Sequence, residues 1–265
     1  MATVIPFSLT VFAYLLAAGL MWRALTHTSN QVKGNVALAV VAIIGNIYLI
    51  WQHLALDHFE HITITTSLSS VAVFLAALVV VAAKRKTGLL LRPVIMVFAA
   101  VAVTLMVASP TDWGAAIDAR AALVAHVVIS LLAYAVLMLA TLYAVQLLYL
   151  SHLLKHHKSA AVSRHLPPLL TIEQYFFRLV TSGAALLVLA LLTGFLFLED
   201  MFAQGQAHKT ILSSVAAVMY IAISLFHGVA RARGKGLVIA SVIASVILTL
   251  AYFGSRFVKD ILLGA

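Results

Sequence analysis

The chain has no cysteine among its 265 residues. Disulfides, thiolate metal sites and thiol redox chemistry within the chain are therefore excluded. Charged residues are scarce as well, at 9%, against 64% hydrophobic residues. A mean hydropathy of +1.11 excludes a soluble globular domain and matches a polytopic membrane protein. The sequence carries no Gly-rich phosphate loop, no nucleophile elbow and no paired carboxylates inside an apolar run. Every carboxylate falls in a loop or at the end of a run. A proton- or cation-coupled transporter usually keeps an acidic group within its bundle, so this absence weighs against one. The formal net charge is +9, but the basic residues are spread over separate loops and share no face. That distribution excludes nucleic acid as a partner and makes the charge a marker of membrane topology.

What is present is a succession of apolar runs. The first covers Met1–Trp22, and its first basic residue, Arg23, comes after it. A secretory signal has the opposite order, with basic residues before the run and a small-residue cleavage site behind it. The segment is read as an uncleaved span with the N-terminus outside. The remaining runs cover about Asn35–Leu54, Ile62–Ala83, Pro93–Ala108, Ala121–Leu150, Phe176–Leu198, Thr210–Ala230 and Leu237–Phe257. Each is long enough to cross a bilayer as a helix. The expected architecture is all-α, a single membrane domain over residues 1–265 with eight transmembrane helices and no soluble module. Its first partner is the lipid bilayer.

The loops orient it. Those after spans 1, 3, 5 and 7 hold Arg23, Lys33, Lys84, Arg85, Lys86, Arg92, Lys155, Lys158, Arg164, Arg178, Arg231, Arg233 and Lys235, which is 13 of the 17 Lys and Arg residues. The loops after spans 2, 4 and 6 hold only Arg120 and Lys209, with Asp57, Glu60, Asp112, Asp118, Glu199 and Asp200. The positive-inside rule then places both termini on the non-cytoplasmic side of a bacterial inner membrane. Arg256 and Lys259 run against it at the outer end of span 8.

The run Ala121–Leu150 is 30 residues without a formal charge. As a helix it would reach roughly 45 Å, longer than the ~30 Å hydrocarbon core. His126 lies near its start, on one stripe with Ser130, Ala133, Leu137, Ala140 and Ala144. Small residues on a stripe mark a face that packs against other helices in lipid, so His126 is expected to face protein. An ionisable group in that position is a functional candidate. The alternative is a headgroup-level histidine that hydrogen-bonds a neighbouring helix.

Topology sorts the eleven histidines. His53, His58, His61, His126 and His208 fall at the outer face. His27, His152, His156, His157, His165 and His227 fall at the inner one. His208 and His227 share a helix but stand roughly 28 Å apart along it, too far to grip one ligand. His126 and His208 both begin inward-running helices at the outer level. Two neutral imidazoles from two helices are one way to hold haem iron. Propionates would then meet basic residues at the rim, for which Arg256, Lys209 and Arg120 are candidates. In Trp51–His61, His53 and Asp57 are spaced i,i+4 and His58 and His61 i,i+3. That segment is either a divalent-cation site or a polar turn with Trp51 in the aromatic belt. His53, one turn inside the membrane, is its member expected to approach the pocket. The cytoplasmic segment Ser151–Tyr175 pairs His152 with His156, as a metal site or as a solvated basic stretch against anionic headgroups.

One family resemblance emerges from these segments. The helix with His126-Val127 and Tyr134-Ala135 is followed by a cytoplasmic loop, Phe177-Arg178, Gly183 and Gly194. The outer loop Glu199–Lys209, a helix ending near His227, and Tyr252-Phe253-Gly254 complete the order. From about Ile62 onward this resembles the cytochrome c assembly proteins, the CcsA- and CcmC-type haem handlers. Those expose haem at the outer face through histidines and a tryptophan-rich segment. Here Glu199–Lys209 has no tryptophan, and His208-Lys209-Thr210 stands in that region, as in a divergent HemX/YpjD-like branch. The resemblance implies a non-enzymatic, haem-handling inner-membrane protein. It implies haem on His126, with His208 and His227 as further candidates, and other cytochrome c maturation or membrane proteins as partners. A rival reading is an accessory or regulatory subunit, for instance in control of tetrapyrrole synthesis. A third is a small-solute or metal transporter with His53, Asp57, His58 and His61 at its outer mouth.

Overall fold

A computed structural model describes residues 4–26, 32–59, 61–82, 90–110, 115–116, 121–155, 169–197, 207–230 and 234–254. They form α1 (Val4–Thr26), α2 (Val32–Leu56), α3 (Ile64–Val81), α4 (Leu91–Ala108), α5 (Ala121–Lys155), α6 (Leu169–Phe197), α7 (Ala207–Gly228) and α8 (Lys235–Thr249). A π turn, Leu250–Gly254, continues α8. All eight helices are long and apolar enough to cross a membrane, the last counted through its π turn. In lipid every backbone polar group must be satisfied internally, which is why apolar runs of this length become helices. Exposure agrees with that solvent. Phe12 is 63% exposed, Trp51 62% and Phe195 71%, values that only a hydrocarbon surround tolerates.

The helix ends follow local chemistry. Pro6 and Pro93 sit in the first turns of α1 and α4, where a missing N–H costs nothing. Thr63 caps α3, its hydroxyl accepting from the Thr66 N–H at 3.0 Å. The expected spans are recovered with one sizeable shift. α6 begins at Leu169 rather than Phe176, directly after Pro167-Pro168 in the sequence. α5 likewise runs on to Lys155, so the connection between α5 and α6 is shorter than expected and His152 is helical. A two-residue antiparallel pairing of β1 (His61–Ile62) with β2 (Ala115–Ala116) was not foreseen. Isolated pairs this short leave no alternation to read in a sequence.

The chain divides into two compact units, Met1–Ala119 and Arg120–Ala265. In the first, α1 packs on α2 and α4, and α3 on α2 and α4. Its centre is polar. Asn46 donates to the Tyr14 hydroxyl at 3.3 Å and accepts from Ser69 at 2.8 Å, and all three residues are fully buried. Gly45 lets α2 approach α1 closely, since a Cβ there would run into the Thr10 side chain.

In the second unit α5 packs on α6 and α8, and α7 packs on the same two helices. The four form a ring with α5 and α7 at opposite corners. The stripe of Ser130, Ala133, Leu137, Ala140 and Ala144 is buried, as expected. Gly183 of α6 sits against it; a Cβ there would stand 2.5 Å from Leu137 Cδ2.

Candidate functional site

His126 lies one and a half turns into α5, and α6 runs antiparallel beside it. That geometry brings Thr193, one turn from the end of α6, level with the imidazole. Nδ1 of His126 lies 3.0 Å from Thr193 Oγ1. The threonine hydroxyl donates its own proton to the Ala190 carbonyl at 2.9 Å. It therefore accepts from the ring, and the network assigns the His126 proton to Nδ1. Nε2 is left as an unprotonated lone pair, the form in which imidazole binds a metal. The second partner of a metal-binding histidine is usually an acceptor of this kind, which fixes ring orientation.

One to two turns further in, the side chains between α5 and the end of α8 are aromatic. Tyr252 donates to the Ser130 carbonyl at 3.2 Å, and the Tyr134 and Thr249 hydroxyls meet at 3.0 Å. The ring centroids of Tyr134 lie 5.2 Å from Tyr252 and 5.4 Å from Phe253. Both partners belong to the π turn, whose extra residue re-aims the side chains at the end of α8. Below them Tyr220 of α7, fully buried, donates to the Ser241 carbonyl at 3.3 Å.

The other sequence candidates fall as follows. His208 is the second residue of α7 and is exposed. It begins its helix at the end where α6 finishes, as His126 does, roughly 6 Å nearer the helix start by residue rise. Their helices hold opposite corners of the ring. His227 stands at the far end of α7, its ring stacked on Phe177 with centroids 3.5 Å apart and planes 4° from parallel. Arg256 lies outside the described residues. His53 belongs to the first unit, on the buried stripe of α2 that carries Asn46 and Leu49. It is 8% exposed, and its Nε2 has no hydrogen-bond partner among the described residues. Beyond it, Asp57 accepts from the His61 backbone at 2.7 Å, and the His61 ring nitrogen lies 3.0 Å from the same carboxylate. His58 and Phe59 adopt left-handed φ values of 51° and 62° to turn the chain, and Phe59 meets Trp51 edge-on at 5.0 Å. No group of three or more His, Cys, Asp or Glu side chains gathers at a metal-binding distance among the described residues.

Sequence reasoning did not find Thr193. The available signal was its place one turn before the end of an antiparallel neighbour, opposite an ionisable residue one turn after a start. The aromatic trio was visible only as separate motifs on helices far apart in sequence.

Comparison with known proteins gives a consistent picture. A family described as Cytochrome C assembly protein matches residues 13–263. Inner membrane protein YpjD of Escherichia coli (strain K12) is 33% identical over 206 residues, which cover 78% of each chain. The same protein from Escherichia coli O157:H7 gives the same figures. An uncharacterized 28.8 kDa protein in the nifR3-like 5' region of Azospirillum brasilense is 32% identical over 141 residues, covering 52% of each chain. No solved structure matches.

Proposed function

The chain belongs to the cytochrome c assembly protein family, and on that premise we propose that it is a haem-handling inner-membrane protein that holds haem near the outer face. The observation that carries this is the His126–Thr193 pair. Here Nδ1–H is committed to α6, and Nε2 keeps the lone pair that an iron would take. The donor set suits haem in two further respects. The Tyr134, Tyr252 and Phe253 rings offer apolar, polarisable surface about two turns inward. Lys209, beside His208, provides positive charge at the outer level.

In this reading His126 and His208 are the residues that would hold the haem iron. Arg256 meets a propionate, and His227 and His53 serve as secondary haem-binding positions. Haem, when bound, supplies redox-active iron to a partner of the cytochrome c maturation machinery. The chain's own residues bind, orient and shield it from water, and none is assigned a catalytic role. Both termini lie on the non-cytoplasmic side. The test is purification of the full chain from cells supplied with haem, followed by an optical spectrum. A Soret band that the His126→Ala, His208→Ala double variant loses supports the assignment. A full band in that variant defeats it.

One observation favours a second reading. The second unit contains no tryptophan, since the three in the chain are Trp22, Trp51 and Trp113. The aromatic platform of the haem handlers is thus absent from the region that resembles it. An accessory or regulatory subunit would need none. Affinity purification separates the two: a stoichiometric protein partner without pigment favours the accessory role, and pigment without a partner opposes it.

A further inference from the structure

The first unit carries a notch between α1 and α4 that the packing of its own helices does not need. Its floor is Ala18 and Pro93, both buried, and its walls are Leu15, Trp22, Val94 and Val97. Its volume is about 410 Å³, within the ~300–1,000 Å³ range of ligand clefts. Gly19 opens it. A glycine deep inside a helix weakens that helix, and at two other mid-helix positions a glycine returns something for that weakness. Gly45 and Gly183 let helices touch, because a Cβ at either would collide with a neighbour. A Cβ at Gly19 would meet nothing within 4 Å. The missing side chain leaves the notch open.

The lining is apolar throughout, and the mouth is not. Trp22, 59% exposed, sits at the rim, at the level where tryptophan marks the membrane interface. Arg23, exposed in the last turn of α1, follows it. Arg92, beside Pro93 at the same end of α4, is buried and donates to the Ala82 carbonyl at 3.2 Å. An apolar slot ending in a tryptophan and a guanidinium matches an acyl chain ending in a phosphate. We propose that this notch seats one acyl chain of an anionic phospholipid, with Arg23 meeting the headgroup phosphate.

Trp22 reports on the site directly. The full chain with Trp51→Phe and Trp113→Phe is reconstituted in phosphatidylcholine vesicles. Its fluorescence is then titrated with brominated phosphatidylglycerol or brominated phosphatidylcholine. One basic residue near the surface attracts an anionic lipid by ~1 kcal/mol, so brominated phosphatidylglycerol should quench at about fivefold lower mole fraction. Arg23→Gln should abolish the preference, and Gly19→Leu or Gly19→Phe, which fill the notch, should do the same. A chain retaining only Trp51, also exposed to lipid, should show none. Equal quenching by the two lipids at Trp22, or a preference that survives a filled notch, overturns the proposal. So does protection of Trp22 that grows with protein density, which would mean that a second copy occupies the groove. Haem plays no part in the readout, so the outcome is independent of the haem assignment.

Discussion

Thr193→Val is the sharpest perturbation of the haem site, because it removes one hydroxyl, with its bonds to the His126 ring and the Ala190 carbonyl, and almost nothing else. Valine has nearly the same shape as threonine, and position 193 is only half-buried, so packing should survive. What disappears is the acceptor 3.0 Å from His126 Nδ1. With that acceptor gone, the imidazole is free to turn and to exchange its tautomer, and Nε2 is no longer aimed at one point. Loss of such an outer partner typically costs about 10–100-fold in metal affinity, or about 1.4–2.7 kcal/mol. The assay is titration of haem-free protein in detergent with haemin, followed at the Soret band, with thermal unfolding as a control. Wild type and Thr193→Ser should bind alike, Thr193→Val should bind about 10- to 100-fold more weakly, and His126→Ala should lose the band. The reasoning fails if Thr193→Val titrates as wild type does, or if His126→Ala keeps wild-type affinity.

Four other outcomes are expected. Gly183→Val should destabilise by about 1–3 kcal/mol in detergent unfolding, because its Cβ would overlap Leu137, and Leu137→Ala in the same chain should recover part of the loss. A double-mutant cycle of Asn46→Leu with Ser69→Ala should return a coupling of about 0.6 kcal/mol, and no more than ~1.7 kcal/mol, the range of hydrogen bonds between membrane helices. Thr63→Ala should lower stability by about 1 kcal/mol through the lost N-cap of α3, with Thr63→Ser close to wild type. A reporter fused after Ala265 should be active only when it is one that works outside the cytoplasm; activity of a cytoplasmic reporter would contradict the assigned orientation.

Much of this protein was open to a reading of its residues alone. Every one of the eight spans was placed, because an apolar run of 18 residues or more in a chain with 9% charge has a single stable form in lipid. The burial of the Ser130–Ala144 stripe followed from its small residues. The start of α6 was misjudged because hydropathy falls around Glu173 and Gln174, although helix propensity does not, and Pro167-Pro168 were the better boundary. Within the proposed site, His126 was singled out by its ionisable side chain and its stripe. Thr193 was not, since an isolated threonine in an apolar helix has no pattern that sets it apart. The opening at Gly19 was equally invisible, because a glycine that admits a ligand and one that admits a helix are the same letter.

The sequence by itself therefore determined the solvent, the number of crossings and the residues able to do chemistry. Those depend on composition and on short-range periodicity, which each segment carries independently of its neighbours. The tertiary structure alone decided which nitrogen of His126 is tied down, which helices share a ring and where glycine leaves room. These depend on the antiparallel register of helices distant in the chain, and a register fixes distances of a few ångströms that no local pattern encodes.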